Sequence, residues 1–243
     1  MTQTITDDWL QRTLLLTGDD TMTKLRQSRI LVVGVGGVGA YAAEMLVRAG
    51  VGNMTIIDSD EVSPTNINRQ LIALQSTIGQ PKVEVLSRRL RDISPHLRLD
   101  ARQCYLEADE TDNLLAQGYD FVIDAIDTIA PKTALLAACI RHNIPVVSSM
   151  GAGARLDPTQ IQYADISKTY RCGLARAVRL RLRKMGIDSG IPVVFSTEQP
   201  QENAVVETIS ERNKRSIVGT ISYMPVIFGC YLAAFVIRQL SQS

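Results

Sequence analysis

The chain has 243 residues, 45% hydrophobic and 21% charged, with a formal net charge of +1. That length and balance suit one ordinary globular domain spanning 1–243 and exclude a disordered or low-complexity chain. A charge so near zero also excludes global attraction to nucleic acid or membrane, so any such attraction has to come from local clustering.

Residues 1–28 read as an N-terminal helical arm, with Arg12 inside Trp9-Leu10-Gln11-Arg12. Asp7 and Asp8 stand where a signal peptide would need apolar residues. Cysteines 104, 139, 172 and 230 lie far apart and form no C-x-x-C pair. No zinc site of the usual spacing is therefore expected, and reduced thiols in a cytoplasmic protein are.

An apolar strand (29–34) then runs into Gly34-Val35-Gly36-Gly37-Val38-Gly39 and a helix over about 38–49. A second strand, Met54-Thr55-Ile56-Ile57, ends at Asp58, and a polar loop covers 59–69. Helix signals return over Gln80–Ile93, with Pro81 at a first-turn position. Leu97–Tyr105 alternates like a strand, and Asp109–Gln117 reads as a short helix. Tyr119–Asp124 is a buried strand with Asp124 and Asp127 at its exit; a helix (Pro131–His142) and an apolar strand (Ile144–Ser149) follow.

This alternation predicts an α/β, Rossmann-like fold: a mostly parallel sheet with helices on both faces, an N-terminal helical arm and a C-terminal helix. Residues 29–150 form the nucleotide-binding core and 151–243 a substrate-binding and C-terminal part. Ligands collect beyond the carboxyl ends of such strands. Gly34–Gly39, Asp58, Asp127 and the Ser149-Met150-Gly151 turn share that edge.

Two later segments stand out. Lys168–Lys184 carries Lys168, Arg171, Arg176, Arg179, Arg181, Arg183 and Lys184 with no acid. On a helix, Leu174, Val178, Leu182 and Met185 share one stripe, with Arg176, Arg179 and Arg183 opposite, suited to RNA phosphates. Arg181 falls on the apolar stripe and is expected to pair with a carboxylate or face a subunit interface. From Ser216 to Ile237 no residue is charged. The reading is a loop and a buried C-terminal helix, with Pro225 near its first turn. Peripheral membrane contact through 216–237 is the alternative that length leaves open.

The glycines can bring bare N–H groups to a phosphate, and Asp58, about 20 residues on, can accept from ribose hydroxyls. So far an NAD-binding oxidoreductase, or a nucleotide-binding module without catalysis, fits as well as an ATP enzyme. Asn66, Arg69 and Lys82 shift the balance. A nicotinamide cofactor needs mainly backbone donors, whereas a triphosphate losing pyrophosphate develops charge that Arg plus Lys can stabilise. Asp127 can hold magnesium bridging phosphate oxygens.

With these residues in view, Arg29–Lys82 resembles the adenylating enzymes related to ubiquitin-activating enzyme and the bacterial molybdopterin- and thiamine-pathway adenylyltransferases, the ThiF type. The carriers are Gly34–Gly39, Ile57-Asp58-Ser59-Asp60, Thr65-Asn66-Ile67-Asn68-Arg69-Gln70, Lys82 and Asp124-Ala125-Ile126-Asp127. The resemblance implies that ATP is split as a carboxylate becomes an acyl-adenylate. It places Gly34, Gly36, Gly37, Gly39, Asp58 and Asp60 at the nucleotide, Asn66, Arg69 and Lys82 at its phosphates, and Asp127 at magnesium or ribose. It also implies a homodimer, in which Arg12 reaches the neighbouring subunit's ATP.

Within that family the chain most resembles the tRNA threonylcarbamoyladenosine dehydratases. Pro131-Lys132, Gly151-Ala152-Gly153, Asp157-Pro158-Thr159-Gln160-Ile161, Phe195-Ser196-Thr197-Glu198 and Gly219-Thr220-Ile221-Ser222 carry that likeness. The implied reaction is ATP-dependent cyclisation of a modified adenosine beside the tRNA anticodon. Relatives that activate ubiquitin-like sulfur carriers commonly have C-x-x-C pairs, absent here, although such an adenylyltransferase remains the alternative. Relatives served by a sulfur-relay partner have a cysteine just before Phe-Ser-Thr-Glu, where this chain has Val193-Val194.

Overall fold

The computed structural model describes residues 8–211 and 214–242; residues 1–7, Asp7 included, lie outside them. The expected arm is helix α1 (Gln11–Gln27), broken at Gly18, whose φ of 79° is not helical. The core then alternates as the hydrophobic pattern requires: β1 (Arg29–Val33), α2 (Gly39–Arg48), β2 (Asn53–Ile57), α3 (Lys82–Ile93), β3 (Arg98–Arg102), α4 (Thr111–Leu115), β4 (Phe121–Asp124), α5 (Ile129–Arg141) and β5 (Val146–Ser149). Pro81 sits one residue outside α3 as its N-cap, with ψ of 129°. It therefore closes the loop ahead of the helix and is not in the first turn.

After β5 come β6 (Ile161–Asp165), α6 (Gly173–Lys184), β7 (Pro192–Ser196), the hairpin β8 (Val205–Glu211) and β9 (Lys214–Val218), and α7 (Tyr223–Gln242). The main sheet has the order β3-β2-β1-β4-β5-β7-β6. Its pairs are parallel except β6 with β7. Strands β6 and β7 are too short and too mixed to stand out by alternation; β7 pairs with β5, and β6 pairs with β7 to form the sheet edge.

Strand side chains alternate between faces, and two apolar cores result. Ile30, Val32, Phe121, Ile123 and Val194 pack with residues of α1, α2, α3 and α7. Leu31, Val33, Val122, Val193 and Phe195 pack with residues of α4, α5 and α6. The same alternation turns Asp124, two residues after Val122, toward α5, and register sets Ser148 of β5 beside it.

Helix α7 is the one helix among the described residues long and apolar enough to cross a membrane. It lies against α2 instead, and Gly229 permits the approach: a Cβ there would stand 2.5 Å from the Val38 carbonyl oxygen. Met224, Phe228, Leu232 and Val236 are fully buried, each worth about 1.5–3 kcal/mol. The expected C-terminal helix is thus present with one face buried, whereas residues 216–218, read as loop, belong to strand β9.

Candidate active site

The glycine turn leaves β1 at its carboxyl end, where the Gly34 N–H donates to the Ile57 carbonyl at 2.8 Å. It has to double back tightly. A Cβ on Gly39 would lie 1.8 Å from the Gly34 carbonyl oxygen, so only glycine fits there. Gly36 faces Gln70, and Gly37 lies between Arg69 and Pro225 of α7. Val38, the N-cap of α2, provides no side-chain cap; the Ala40 N–H donates to the Gly36 carbonyl at 3.3 Å, and the helix N-terminus as a whole faces the turn as an anion-binding end.

Asp58 follows β2 and binds the turn from below. Its Oδ2 accepts from the Val35 N–H at 2.7 Å, and its Oδ1 accepts from the Asp60 N–H at 2.9 Å. Burial pushes its carboxyl above the usual value, although Lys82 and the two amide donors pull the other way. The group is thus poised to gain from a hydroxyl donor.

Lys82 opens α3 with its chain buried, and its Nζ meets Asp60 Oδ2 at 2.7 Å. Asp60 is itself exposed. Asn66 Oδ1 accepts from the Ser63 N–H, capping the turn that carries the loop. The Arg69 Nη1 donates to the Thr65 carbonyl and to Asn68 Oδ1, at 2.9 and 2.8 Å, while its carbonyl and Cγ lie against Gly37. Gln70 Oε1 is buried without a partner, an acceptor at the floor of the turn that the spacing of the loop did not disclose.

Beyond β4, the structure reveals a device that sequence reasoning missed. Lys132 and Asp124 are both fully buried and pair at 2.7 Å. The Lys132 Nζ also donates to the Ile126 carbonyl at 3.0 Å, and the Ile126 N–H donates to Asp124 Oδ1 at 3.1 Å. Ser148 Oγ donates to Asp124 Oδ2 at 2.6 Å. Both sides of the Ile126 peptide are therefore held, and the next residue is the exposed Asp127. Asp124 and Lys132 appeared in the sequence only as motif letters; that they meet depends on β4 and α5 packing together.

The rim is closed by later segments. The Ala154 N–H donates to the Gly219 carbonyl, and Asn68 Nδ2 donates to the Thr220 carbonyl, each at 2.8 Å. These bonds join the Gly151–Ala154 turn, the start of α7 and the Arg69 loop around one edge of the sheet. Thus Gly34, Gly36, Gly37, Gly39, Asp58, Asp60, Asn66, Arg69, Lys82 and Asp127 all collect at the carboxyl ends of β1, β2 and β4.

Arg12 does not join them within its own chain. Leu10 packs on Gly50, at the opposite end of β2, whose five residues span roughly 15 Å. Arg12 is exposed there, near exposed Trp9, Leu15 and Leu16.

Helix α6 lies as expected, but its buried stripe is Ala175, Val178 and Leu182. Ala175 draws the stripe away from Met185 and Arg181, which are exposed. Arg181 makes no ion pair among the described residues, so of the two expected placements the carboxylate pair is not the one found. Arg176 is exposed, and Arg183 pairs with Asp188 at 3.5 Å. Arg179 is only half-exposed, and its Nη1 donates to the carbonyl and Oγ1 of Thr169, at 2.9 and 2.6 Å. Cys172 caps the helix, its Sγ accepting from the Ala175 N–H, which is a structural role.

The ThiF family matches residues 10–243. The tRNA threonylcarbamoyladenosine dehydratase of Bacillus subtilis (strain 168) is 39% identical over 236 residues, covering 94% of this chain and 93% of that protein. The solved tRNA N6-threonylcarbamoyladenosine dehydratase of E. coli in complex with ATP superimposes with a TM-score of 0.87 at 36% identity, covering 98% of this chain and 97% of the other. The same enzyme in complex with AMP gives 0.88, with the same identity and coverage.

Proposed function

This chain belongs to the ThiF family, and on that basis we propose that it is an ATP-dependent enzyme that cyclises threonylcarbamoyladenosine beside the anticodon of tRNA. The observation that carries this reading is the near full-length likeness to a dehydratase solved with both ATP and AMP. AMP is the fragment left when a carboxylate attacks the α-phosphate and pyrophosphate leaves.

The strand-end cradle fits that chemistry. Asp58 receives the ribose hydroxyls, and the amides of Gly36, Gly37 and the α2 start receive phosphate oxygens. Arg69 and Lys82 stabilise the charge that grows as pyrophosphate departs, Lys82 exchanging exposed Asp60 for phosphate when ATP enters. The substrate carboxylate becomes an acyl-adenylate. A nucleophile of the same side chain then attacks its carbonyl and expels AMP, with net loss of water. Being tethered, that nucleophile is already at high effective concentration, and no enzyme nucleophile is needed.

Magnesium fits the donor set. No group of three His, Cys, Asp or Glu side chains comes together among the described residues. Asp127 with phosphate oxygens and water is the sparse set magnesium favours, and the bound ion would neutralise phosphate charge. Arg12 would serve the nucleotide of a second copy, and exposed Leu15 and Leu16 provide apolar surface for that homodimer. The exposed arginines of α6, Arg176 and Arg183, are assigned to tRNA phosphates. Arg179 supports them by fixing the Thr169 turn. The whole of 1–243 acts as one adenylating domain in the cytoplasm.

The test is incubation of the protein with ATP, magnesium and tRNA carrying threonylcarbamoyladenosine. AMP, pyrophosphate and a nucleoside lighter by one water are expected. Folded protein that yields neither product would overturn the reading. Pyrophosphate release stimulated by a small protein ending in Gly-Gly, and not by tRNA, would replace it with the sulfur-carrier alternative.

A further inference from the structure

Three features near the site are left unused by the mechanism above, and they touch one another. The first is Arg155, buried with no carboxylate partner among the described residues. Its Nη1 donates to the Gly151 and Gly153 carbonyls at 2.8 and 3.1 Å, its Nη2 to the Arg171 carbonyl at 2.7 Å, and its Nε has no partner. A desolvated cation held only by carbonyls is unfavourable on its own account. What it does is clamp the turn after β5 to the turn before α6.

The second is Arg171, which has φ of 51°, a left-handed conformation uncommon for a side-chain-bearing residue. Its Nη1 donates to the Thr197 carbonyl just beyond β7, at 3.1 Å. The third is Tyr170, half-exposed although its ring lies edge-on against buried Phe195, with centroids 5.6 Å apart. The Arg171 guanidinium carbon stands 6.0 Å from the Tyr170 ring centre. The strained turn, fixed at its carbonyl by Arg155 and at its side chain by Thr197, thus presents one aromatic ring beside one cation.

The surroundings identify the occupant. The turn lies at the carboxyl ends of β5 and β7, the edge that holds the nucleotide cradle. No acidic residue occurs between Asp165 and Asp188, whereas seven lysines and arginines do. A rigid half-exposed ring and a guanidinium, in a basic field next to a catalytic edge, match how unpaired bases are held: stacked on the ring and sequence-tolerant, with phosphates on the cations. We propose that Tyr170 and Arg171 form a stacking platform for an unpaired base of the tRNA substrate, adjacent to the base being modified. This rests on the tRNA reading given above. Arg155 is then a positioning residue that acts through Arg171.

The experiment uses the full-length protein and an anticodon stem-loop RNA containing threonylcarbamoyladenosine, with 2-aminopurine at the neighbouring loop position. Tyr170→Leu should weaken RNA binding by about 5- to 150-fold, the range of one base–aromatic stack. ATP affinity and the salt dependence of RNA binding should stay unchanged, because the contact is not ionic; Tyr170→Phe should restore RNA affinity. Binding to wild-type protein should change the 2-aminopurine emission, and Tyr170→Leu should abolish that change. RNA affinity of Tyr170→Leu within twofold of wild type, or a loop base whose emission ignores the protein, overturns the platform while leaving the tRNA reading intact. Wild-type protein that neither binds nor converts the RNA overturns both. Should Tyr170→Leu fail to fold, the wild-type emission change decides alone.

Discussion

Replacing Lys132 with methionine keeps the length of the side chain and removes a cation from a site that water does not reach. The Nζ lies 2.7 Å from Asp124 Oδ2, with both side chains fully buried. At an effective dielectric near 20, two unit charges at that separation attract by about 6 kcal/mol. Desolvating them costs several kcal/mol each, roughly the same in sum, so the intact pair contributes little net stability. Half of the pair is a different matter. Lys132→Met leaves Asp124 buried without its partner, and the expected loss is about 3–5 kcal/mol. For a chain of this size that lowers the melting temperature by roughly 6–20 °C. Adding Asp124→Asn removes the second charge and keeps an oxygen to accept from Ser148 or Ile126. The double variant should therefore recover at least about 2 kcal/mol of the single variant's loss. Denaturant unfolding of the wild type, both single variants and the double variant measures this directly. If Lys132→Met costs less than about 1 kcal/mol, or the two changes simply add, the charges are not coupled as their geometry requires.

Four further outcomes follow from the same geometry. Lys82→Ala and Arg69→Ala should each lower turnover by ~100-fold or more, checked by AMP release; near-normal turnover would remove that residue from the mechanism. Burial raises the Asp58 carboxyl above 3.8, so its stabilising effect on the empty protein is present at low pH and lost as pH rises through the raised value. Asp58→Ala should accordingly cost less stability at pH 7 than at pH 4, and equal losses in melts at the two pH values would contradict the sign. Gly39→Ala would drive a Cβ against the Gly34 carbonyl and should yield protein that does not fold or does not bind ATP, whereas Gly173→Ala, with nothing within 4 Å, should change stability by less than about 1 kcal/mol. Arg176→Gln should weaken tRNA binding at low salt and flatten its salt dependence by about one unit; an unchanged slope would release α6 from RNA contact.

Most of the nucleotide-binding half was legible because its signals are local. Strand periodicity over 29–57 and 119–149, the glycines between them and polar residues at strand exits each lie within a few residues of the structure they specify. The parallel topology then gathers Asp58, Arg69, Lys82 and Asp127 at one edge. Strands β6 and β7 did not announce themselves, since their identity depends on the pairing of β7 with β5 and of β6 with β7, and not on their own alternation. The buried face of α6 also differs from the stripe that spacing suggests, because Ala175 is buried in place of Leu174 and Met185. Arg179 was turned by that shift from a solvent cation into a clamp on Thr169.

The division has a physical basis. The sequence by itself determined the glycine turn, the strand-helix alternation and the family likeness, since backbone sterics and hydrophobic period act over one or two turns of chain. Only the tertiary structure decided that Lys132 meets Asp124 and Ser148, that Lys82 is held by Asp60, and that Arg155 fixes the turn bearing Tyr170. It also set Arg12 at the far edge of the sheet from its own chain's nucleotide turn. These are contacts between residues distant in the chain, and their strength depends on the water excluded around them, which no local pattern records.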